Sequence, residues 1–193
     1  MLEEKERSFL INGAIRSSID SHQKLLELVP FIERIADKCL KAIQSGGTIF
    51  LFGNGGSASD AQHIAAEFIG RFSKNRRSLP ALALTVNTSN LTAIANDYGY
   101  EYVFSRQLEG LLRKNDLVVG ISTSGASKNV LEGIILAKSR GCFTIGLSGG
   151  SGGKLKDLAD ICLIAPASTP ARIQEIHILV GHIISEVVES GIV

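Results

Sequence analysis

Residues 48–60, which read TIFLFGNGGSASD, join a strand to a helix through a glycine-rich loop, and this stretch decides the fold. The apolar run Thr48–Phe52 predicts a strand that is buried on both faces. The loop Gly53–Asp60 follows it directly, and the spacing of apolar residues predicts a helix over 59–69. A strand, a tight loop and a helix in this order are typical of an α/β protein with a parallel sheet.

A second stretch repeats this order. The apolar run Leu117–Ile121 leads into the small-residue loop Ser122–Ser127, and a helix is predicted over 129–139. In both loops small residues let backbone N–H groups approach a ligand, hydroxyls add donors, and the helix N-terminus favours an anion. Such loops also serve as plain caps and turns. Two of them at corresponding places favour a phosphorylated ligand.

The sequence disfavours two kinds of nucleotide binding. Gly53, Gly55 and Ala58 satisfy GxGxx(G/A), but that pattern needs an acid at the end of the second strand, and Thr85–Asn87 supplies none. The sequence GxxxxGK[ST] does not occur, which disfavours nucleotide hydrolysis. A third glycine cluster, Ser148–Gly153, predicts a mobile turn.

The remaining patterns complete a single predicted domain over residues 1–193. Residues 1–45 have helical periodicity, with a kink or a fresh start at Pro30, and are expected to pack between subunits as an oligomerisation segment. Residues 46–193 are expected to form the α/β core, with about five parallel strands flanked by helices. Its other predicted strands are Leu79–Thr85, Phe143–Leu147 and Ile161–Ile164, and its other predicted helices are Leu91–Ala95 with Val103–Leu112, Leu155–Leu158 and Ala171–Glu189.

Composition narrows the class of protein. Lys plus Arg is 20 and Asp plus Glu is 19, so the net charge is +1 and the basic excess of a nucleic-acid binder is absent. No apolar run approaches the roughly 20 residues of a membrane span, and Met1–Arg7 has no apolar signal-peptide core. Cys39, Cys142 and Cys162 form no CxxC pair. We therefore expect free thiols in a cytoplasmic protein that binds neither nucleic acid nor membrane.

Two predicted helices carry candidate catalytic residues. His63 and Glu67 are four residues apart, so they share one helix face and could hold a metal or act as an acid–base pair, although surface pairs at this spacing are common. The last helix carries Gln174, His177 and His182. Gln174 and His182 are about 80° and roughly 12 Å apart on a straight helix, so one metal between them is at the limit of reach unless another subunit supplies one ligand. The spacing does not choose between His177 and His182.

The chain resembles the sugar isomerase (SIS) family, and within it the sedoheptulose-7-phosphate, or phosphoheptose, isomerases. The resemblance covers essentially the whole chain. Its motifs occur in family order: GNGGSA at 53–58, QHIAAE at 62–67, ANDYG at 95–99, FSRQ at 104–107, GISTSG at 120–125 and RIQEIH at 172–177. Two loop positions differ from the usual family pattern, because Ser59 replaces alanine and Ala126 replaces asparagine.

The resemblance implies an active site. Glu67 and His182 would be the catalytic base and acid. One divalent ion per subunit, typically zinc, would be bound by His63, Glu67, Gln174 and His182. The hydroxyls of the second loop would hold the phosphate. The residues expected to contact the substrate are Asn54, Gly55, Gly56, Ser57, Glu67, Asn96, Asp97, Ser122, Thr123, Ser124, Ser127 and Gln174.

The implied activity is conversion of sedoheptulose 7-phosphate to D-glycero-D-manno-heptose 7-phosphate through an enediol, the first step toward activated heptose for bacterial surface polysaccharide. The implied assembly is a homotetramer with active sites at subunit interfaces. The chemistry agrees with the residues, since moving a proton between neighbouring carbons needs a base and an acid but no redox cofactor.

An alternative is a non-catalytic SIS protein. The segments RRSLPA at 76–81 and LTAIAND at 91–97 are similar to those of the replication initiator-associating proteins, which are tetrameric binding modules. Members of that group generally lack the counterparts of Glu67 and His182, and both are present here. A SIS-type regulator would need a separate DNA-binding domain, for which 193 residues leave no room. The sequence therefore favours the isomerase.

Overall fold

The computed structural model describes residues 2–192, so the ends of the predicted domain, Met1 and Val193, lie outside the described residues. Two N-terminal helices precede alternating strands and helices. The elements are α1 (Glu4–Leu25), α2 (Val29–Gln44), β1 (Ile49–Gly53), α3 (Gly56–Ile69), β2 (Ala81–Ala83), α4 (Thr88–Tyr98), α5 (Ser105–Leu111), β3 (Leu117–Ser122), α6 (Lys128–Ser139), β4 (Phe143–Ser148), α7 (Gly153–Leu158), β5 (Ile161–Ile164) and α8 (Pro170–Ile192).

Within the described residues the strands form one five-stranded parallel sheet in the order β2-β1-β3-β4-β5, which confirms the predicted α/β architecture. β1 is flanked by β2 and β3, with Ile49 paired to both Ala81 and Leu117. The direction of strand addition reverses between β1 and β3, so a topological switch point lies there. Gly53 pairs with Ile121, and the loops that follow β1 and β3 therefore leave the sheet side by side.

Helices cover both faces of the sheet. Ile49 and Leu51 of β1 pack into a core with residues of α2, α3 and α8, whereas Phe50 and Phe52 pack on the opposite face with residues of α5 and α6. The Phe52 ring stacks on Phe104 with 4.9 Å between centroids. The result is a three-layer arrangement, as the continuous apolar sequence of β1 predicts.

The N-terminal helices differ in how they are buried. Pro30 lies in the first turn of α2, which confirms that the proline marks a fresh helix start. α2 buries one face, including Ile35 and Cys39, in the same core as the sheet, so this helix belongs to the packed layers. α1 instead keeps an apolar surface exposed, and Phe9 is 79% exposed. The other exposed apolar residues of α1 are Leu10, Ile11, Ile15 and Ile19.

Most element boundaries lie within a few residues of the predicted ones, and two of the differences have a clear local cause. α3 begins at Gly56, before the predicted start at Ser59. Gly55 has φ 56°, a conformation that glycine adopts at no steric cost, and the turn it makes starts the helix early. β2 covers only Ala81–Ala83 of the predicted run Leu79–Thr85. It is an edge strand, and the preceding Pro80 has no N–H to donate to a ladder.

The third glycine cluster forms a turn, but the turn packs against the loop after β3 and is held by hydrogen bonds, unlike the mobile turn that was predicted. The Leu155 N–H donates to the Gly125 carbonyl at 3.0 Å. The Ser148 hydroxyl donates to the Gly152 carbonyl at 3.3 Å. A side-chain carbon on Gly153 would lie 2.6 Å from the backbone of Gly125, so the two glycine segments touch. The turn therefore supports the second loop.

α8 is the longest helix of the described chain, and most of its length is buried. Its 23 residues bury one face, including Ile176 and Val180, in the core beside α2 and α3. Among residues 2–192, no helix has both the length and the apolar character that crossing a membrane requires. The polar residues on the buried face of α8, which include His177 and Glu189, need hydrogen-bond partners within the protein.

Candidate active site

The loops after β1 and β3 are joined at the switch point by a pair of side-chain amides. We call Gly53–Gly56 loop A and Ser122–Ser127 loop B. Asn54 Nδ2 donates to Asn129 Oδ1 at 2.9 Å, and Asn129 Nδ2 donates to Asn54 Oδ1 at 2.8 Å. The Tyr100 hydroxyl also donates to Asn54 Oδ1, at 3.1 Å. Asn54 thus links loop A to the first turn of α6, which follows loop B.

Loop A presents backbone rather than side chains. Gly55 and Gly56 are exposed, whereas Ser57, also a predicted substrate ligand, is only 3% exposed. A side-chain carbon on Gly56 would lie 2.7 Å from Cδ of Gln174, so the Gln174 amide lies directly over the loop. A larger residue at position 56 would displace the Gln174 amide from this position.

Three hydroxyls converge in loop B. Ser122 Oγ lies 3.0 Å from Ser127 Oγ and 3.5 Å from Ser124 Oγ. The Ala126 N–H donates to Ser124 Oγ at 3.2 Å. Thr123, the fourth predicted hydroxyl, is half-buried beside them. Because α6 starts at Lys128, these groups lie at a helix N-terminus, where hydroxyl donors and the helix dipole suit an anion such as phosphate.

His63, Glu67 and His182 form a cluster of possible metal ligands where α3 meets α8. His63 Nε2 lies 3.2 Å from Glu67 Oε1 and 3.0 Å from His182 Nε2. All three ligand atoms lie within 4.8 Å of one another. The ligand atoms of a tetrahedral zinc are roughly 3.3 Å apart, and zinc accepts imidazole nitrogen and carboxylate oxygen. The chemistry and the spacing of this cluster therefore fit zinc.

The cluster forms because two helices approach closely. A side-chain carbon on Gly181 would lie 2.5 Å from the Ile64 side chain, so Ile64 of α3 packs directly on Gly181 of α8 and would have to move to accommodate a side chain there. Ile64 follows His63 in the chain, and Gly181 precedes His182. The packing of Ile64 on Gly181 therefore lies directly beside the two imidazoles.

His177 is a core histidine. It is fully buried, and its Nε2 donates to the Ser148 carbonyl at 3.0 Å. Burial lowers the pKa of His177 to about 4, although this hydrogen bond opposes the shift, so the ring is neutral near pH 7. Its Nδ1 has no hydrogen-bond partner within residues 2–192. The structure thus separates His177 from His182, which the sequence could not do.

Three predicted site residues lie away from the cluster. Gln174 packs over Gly56, two helical turns before His182, which is about 12 Å along α8. Asn96 and Asp97 are exposed at the end of α4, and Asn96 Nδ2 donates to Asp97 Oδ1 at 2.8 Å. One chain therefore assembles two separate parts: the loops with Gln174, and the histidine–carboxylate cluster.

Sequence reasoning missed Asn129 and Tyr100, and left Asp60 without a role. Asp60 lies on α3 one turn before His63, and its Oδ2 is buried with no hydrogen-bond partner within the described residues. Burial raises the pKa of Asp60 to about 6, although the nearby His63 opposes the shift. Asn129 is the second residue after loop B, and a polar residue in the first turn of α6 was the signal available in the sequence.

Removal of each α8 histidine distinguishes a metal ligand from a core residue. If the cluster holds one zinc ion per chain, we expect His182→Ala to lose it, because two donors hold the ion far less well than three. His177→Ala, the matched change on the same helix, should keep the zinc and lower the melting temperature, because it leaves a buried void. Elemental analysis and thermal denaturation measure the two effects. Unchanged zinc content in His182→Ala would remove His182 from the site.

Comparison with known proteins agrees with this geometry. The SIS domain family matches residues 17–149. The chain is 51% identical over 181 residues to the phosphoheptose isomerase of Helicobacter hepaticus, covering 94% of this chain and 92% of the relative. It is 58% identical over 153 residues to the phosphoheptose isomerase of a Nitratiruptor species, covering 79% and 82%.

The fold agrees as well. The structure of the phosphoheptose isomerase of Neisseria gonorrhoeae superposes with a TM-score of 0.90 at 41% identity, covering 95% of this chain and 98% of that chain. Sequence and fold are thus similar along nearly the whole length of both proteins. The chain belongs to the SIS domain family and, within it, to the phosphoheptose isomerases.

Proposed function

We propose that the protein is a phosphoheptose isomerase, which converts sedoheptulose 7-phosphate to D-glycero-D-manno-heptose 7-phosphate. The observation that carries this proposal is the cluster of His63, Glu67 and His182 in a fold that also presents a serine-rich loop at a helix N-terminus. The relatives named above carry the same activity in their names. The product is a sugar phosphate of the kind that feeds activated-heptose synthesis for bacterial surface polysaccharide.

Loop B is proposed to hold the substrate's phosphate. The hydroxyls of Ser122, Ser124 and Ser127 lie together there, with Thr123 beside them. Asn54, Gly55 and Gly56 of loop A are proposed to contact the sugar, with Ser57, Asn96, Asp97 and Gln174 as further contacts. Phosphate binding far from the reacting carbons anchors and orients the substrate.

His63, Glu67 and His182 are proposed to hold one zinc ion per subunit. Their nitrogen and oxygen donors lie at separations that suit tetrahedral coordination. When bound, the ion polarises the substrate's carbonyl and stabilises negative charge on its oxygen. Gln174 of the same chain lies about 12 Å along α8 from His182, so a fourth ligand of this type is proposed to come from another subunit.

Glu67 and His182 are proposed to move the protons. Glu67 removes a proton from C1 of the ketose and returns it to C2, through an enediol. His182 delivers a proton to the C2 carbonyl oxygen and accepts the one that leaves the C1 hydroxyl. C1 is thereby oxidised to an aldehyde while C2 is reduced to a carbinol, so the electrons balance within the substrate. No redox cofactor is needed.

The protein is proposed to work as a homotetramer, with α1 packed between subunits. This helix exposes apolar side chains along its length, with Phe9 79% and Ile15 54% exposed. Exposed apolar surfaces of this kind mark protein interfaces. Glu67 lies about 16 Å along α3 from Gly56. This distance favours an active site in which the loops of one subunit face the cluster of another.

A cytoplasmic location is proposed from the cysteines. Cys39 and Cys142 are buried free thiols, and Cys162 is a partly buried one. Burial raises the pKa of Cys39 to about 12, so this group is an inert thiol at neutral pH. Free thiols suit a reducing compartment. The alternative function, a non-catalytic SIS binding module, gains no support from the three relatives named above, which are phosphoheptose isomerases by name.

Glu67→Gln tests the proposed reaction. The amide keeps the size of the side chain but cannot accept a proton, so turnover of sedoheptulose 7-phosphate should fall by about 10²–10⁴-fold. Glu109→Gln is the control, because it makes the same change in a surface ion pair on α5. Zinc content is measured in each sample, so that loss of metal is not mistaken for loss of the base.

In heavy water the wild type should place deuterium at C2 of the aldose. A folded, zinc-loaded Glu67→Gln protein with the wild-type rate would refute the assignment of Glu67 as the base. A wild type that forms no aldose with zinc present would refute the isomerase itself.

Ser124→Ala tests the phosphate loop. A hydrogen bond to a charged group contributes about 1.5–3 kcal/mol, so KM for the phosphorylated ketose should rise roughly tenfold or more while kcat stays close to wild type. Ser139→Ala, at the other end of α6, is the control and should leave KM unchanged. Sedoheptulose without its phosphate should not distinguish Ser124→Ala from wild type. Equal KM values for the phosphorylated substrate would exclude Ser124 from the phosphate site.

A further inference from the structure

Arg76 joins the end of α3 to α8 through one buried guanidinium group. Its Nε donates to Glu189 Oε1 at 2.9 Å. Its Nη2 donates to the Glu67 carbonyl at 2.8 Å, and its Nη1 to the Phe68 carbonyl at 2.9 Å. The side chains of Arg76 and Glu189 are 3% and 1% exposed. One planar group thus satisfies two carbonyls at the C-terminus of α3, including that of Glu67, and binds a carboxylate of α8.

Glu189 in turn fixes the segment that joins α3 to β2. Its two carboxylate oxygens accept the backbone N–H groups of Phe72, Ser73 and Lys74 at 2.8–2.9 Å, and the Ser73 hydroxyl at 3.0 Å. Burial raises the pKa of Glu189, but these hydrogen bonds outweigh it and hold the pKa at about 2. The carboxylate is therefore charged at neutral pH, and its capacity to accept hydrogen bonds is fully used.

Glu189 lies on the same face of α8 as His182. Glu189 follows His182 by seven residues on α8, which places the two side chains within about 20° of one helix face and roughly 10 Å apart along the axis. The ring of Phe72, whose N–H donates to Glu189, lies 5.9 Å from the His182 ring. The same carboxylate therefore holds an aromatic ring beside the imidazole.

Stability alone does not account for such a pair. The free energy needed to remove two charges from water is about as large as the free energy gained from their attraction. Proteins in which apolar residues of similar volume replace a buried ion pair are therefore often as stable or more stable. A guanidinium with several fixed donors instead sets distance and orientation, which a lysine cannot do. Here Arg76 sets the distance between α3 and α8. α3 carries His63 and Glu67, and α8 carries His182.

We propose that Arg76 and Glu189 are positioning residues that hold α3 and α8 at the spacing required for His63, Glu67 and His182 to act together. The inference rests on the proposed function of that cluster and goes beyond it, because neither residue touches the proposed zinc or substrate. Arg76 acts on Glu67 through the backbone carbonyl, and Glu189 acts on His182 through Phe72.

Arg76→Lys is the main test, because it keeps the buried charge and removes the fork of donors. Zinc affinity is measured by competition with a chelator, without substrate, and should weaken by about 10–100-fold, as for residues that support metal ligands. With zinc saturating, kcat should fall over the same range while KM stays near wild type. Ser73→Ala, which removes one hydroxyl bond to Glu189, should change both quantities in the same direction by less.

The control is Ile161→Ala, a core substitution at the start of the edge strand β5. It destabilises the fold away from α3, so it should lower the melting temperature while keeping wild-type zinc affinity. The imidazole nitrogen shifts of the metal-free protein give an independent reading, and Arg76→Lys should change those of His63 and His182.

Wild-type zinc affinity, kcat and imidazole shifts in Arg76→Lys would overturn the proposal. If Arg76→Lys does not fold, wild-type values in Ser73→Ala would overturn it instead. Equal losses of zinc affinity in Ile161→Ala would also overturn it, because the effect would then follow from stability alone. The metal-free and substrate-free measurements decide the inference even if the wild type proves to have no isomerase activity.

Discussion

The contact between α3 and α8 at Ile64 and Gly181 is the constraint on which the proposed catalytic site depends. A side-chain carbon at residue 181 would lie 2.5 Å from the Ile64 side chain, so any larger residue there must displace Ile64 or move the helices apart. His182 follows Gly181 on α8, and His63 precedes Ile64 on α3. The Nε2 atoms of the two histidines lie 3.0 Å apart. Glu67, one turn along α3, completes the cluster. The Arg76–Glu189 pair fixes the same two helices further along.

The direction of the two helices also explains why the loops and the histidine–carboxylate cluster lie apart within one chain. α3 and α8 run side by side in the same direction, since Gly56 touches Gln174 and Ile64 approaches Gly181. The beginning of α3 therefore lies with the loops at the switch point, and its end lies with the histidine–carboxylate cluster. A sugar phosphate that meets both parts is most simply bound between two subunits. The exposed apolar surface of α1 is consistent with such an assembly.

Sequence patterns predicted the parts of the site that depend on local order. Loops A and B followed from strand, small-residue loop and helix in succession, and the pairing of His63 with Glu67 followed from their spacing on one helix. The choice of His182 over His177 depends on which face of α8 meets α3, and periodicity does not contain that information. Asn129 pairs with a residue 75 positions away, and Arg76 with one 113 positions away. Such contacts become visible only when the tertiary packing is known.

The turnover of sedoheptulose 7-phosphate by Gly181→Ala tests the central claim most directly. One added methyl group should force α3 and α8 apart at the histidines, and displacement of catalytic groups by about 1 Å can cost roughly 100-fold in rate. Adding Ile64→Ala frees the space that the methyl needs, so the double variant should recover much of the lost activity. Gly181→Ala protein that is folded and turns over at the wild-type rate would contradict the account.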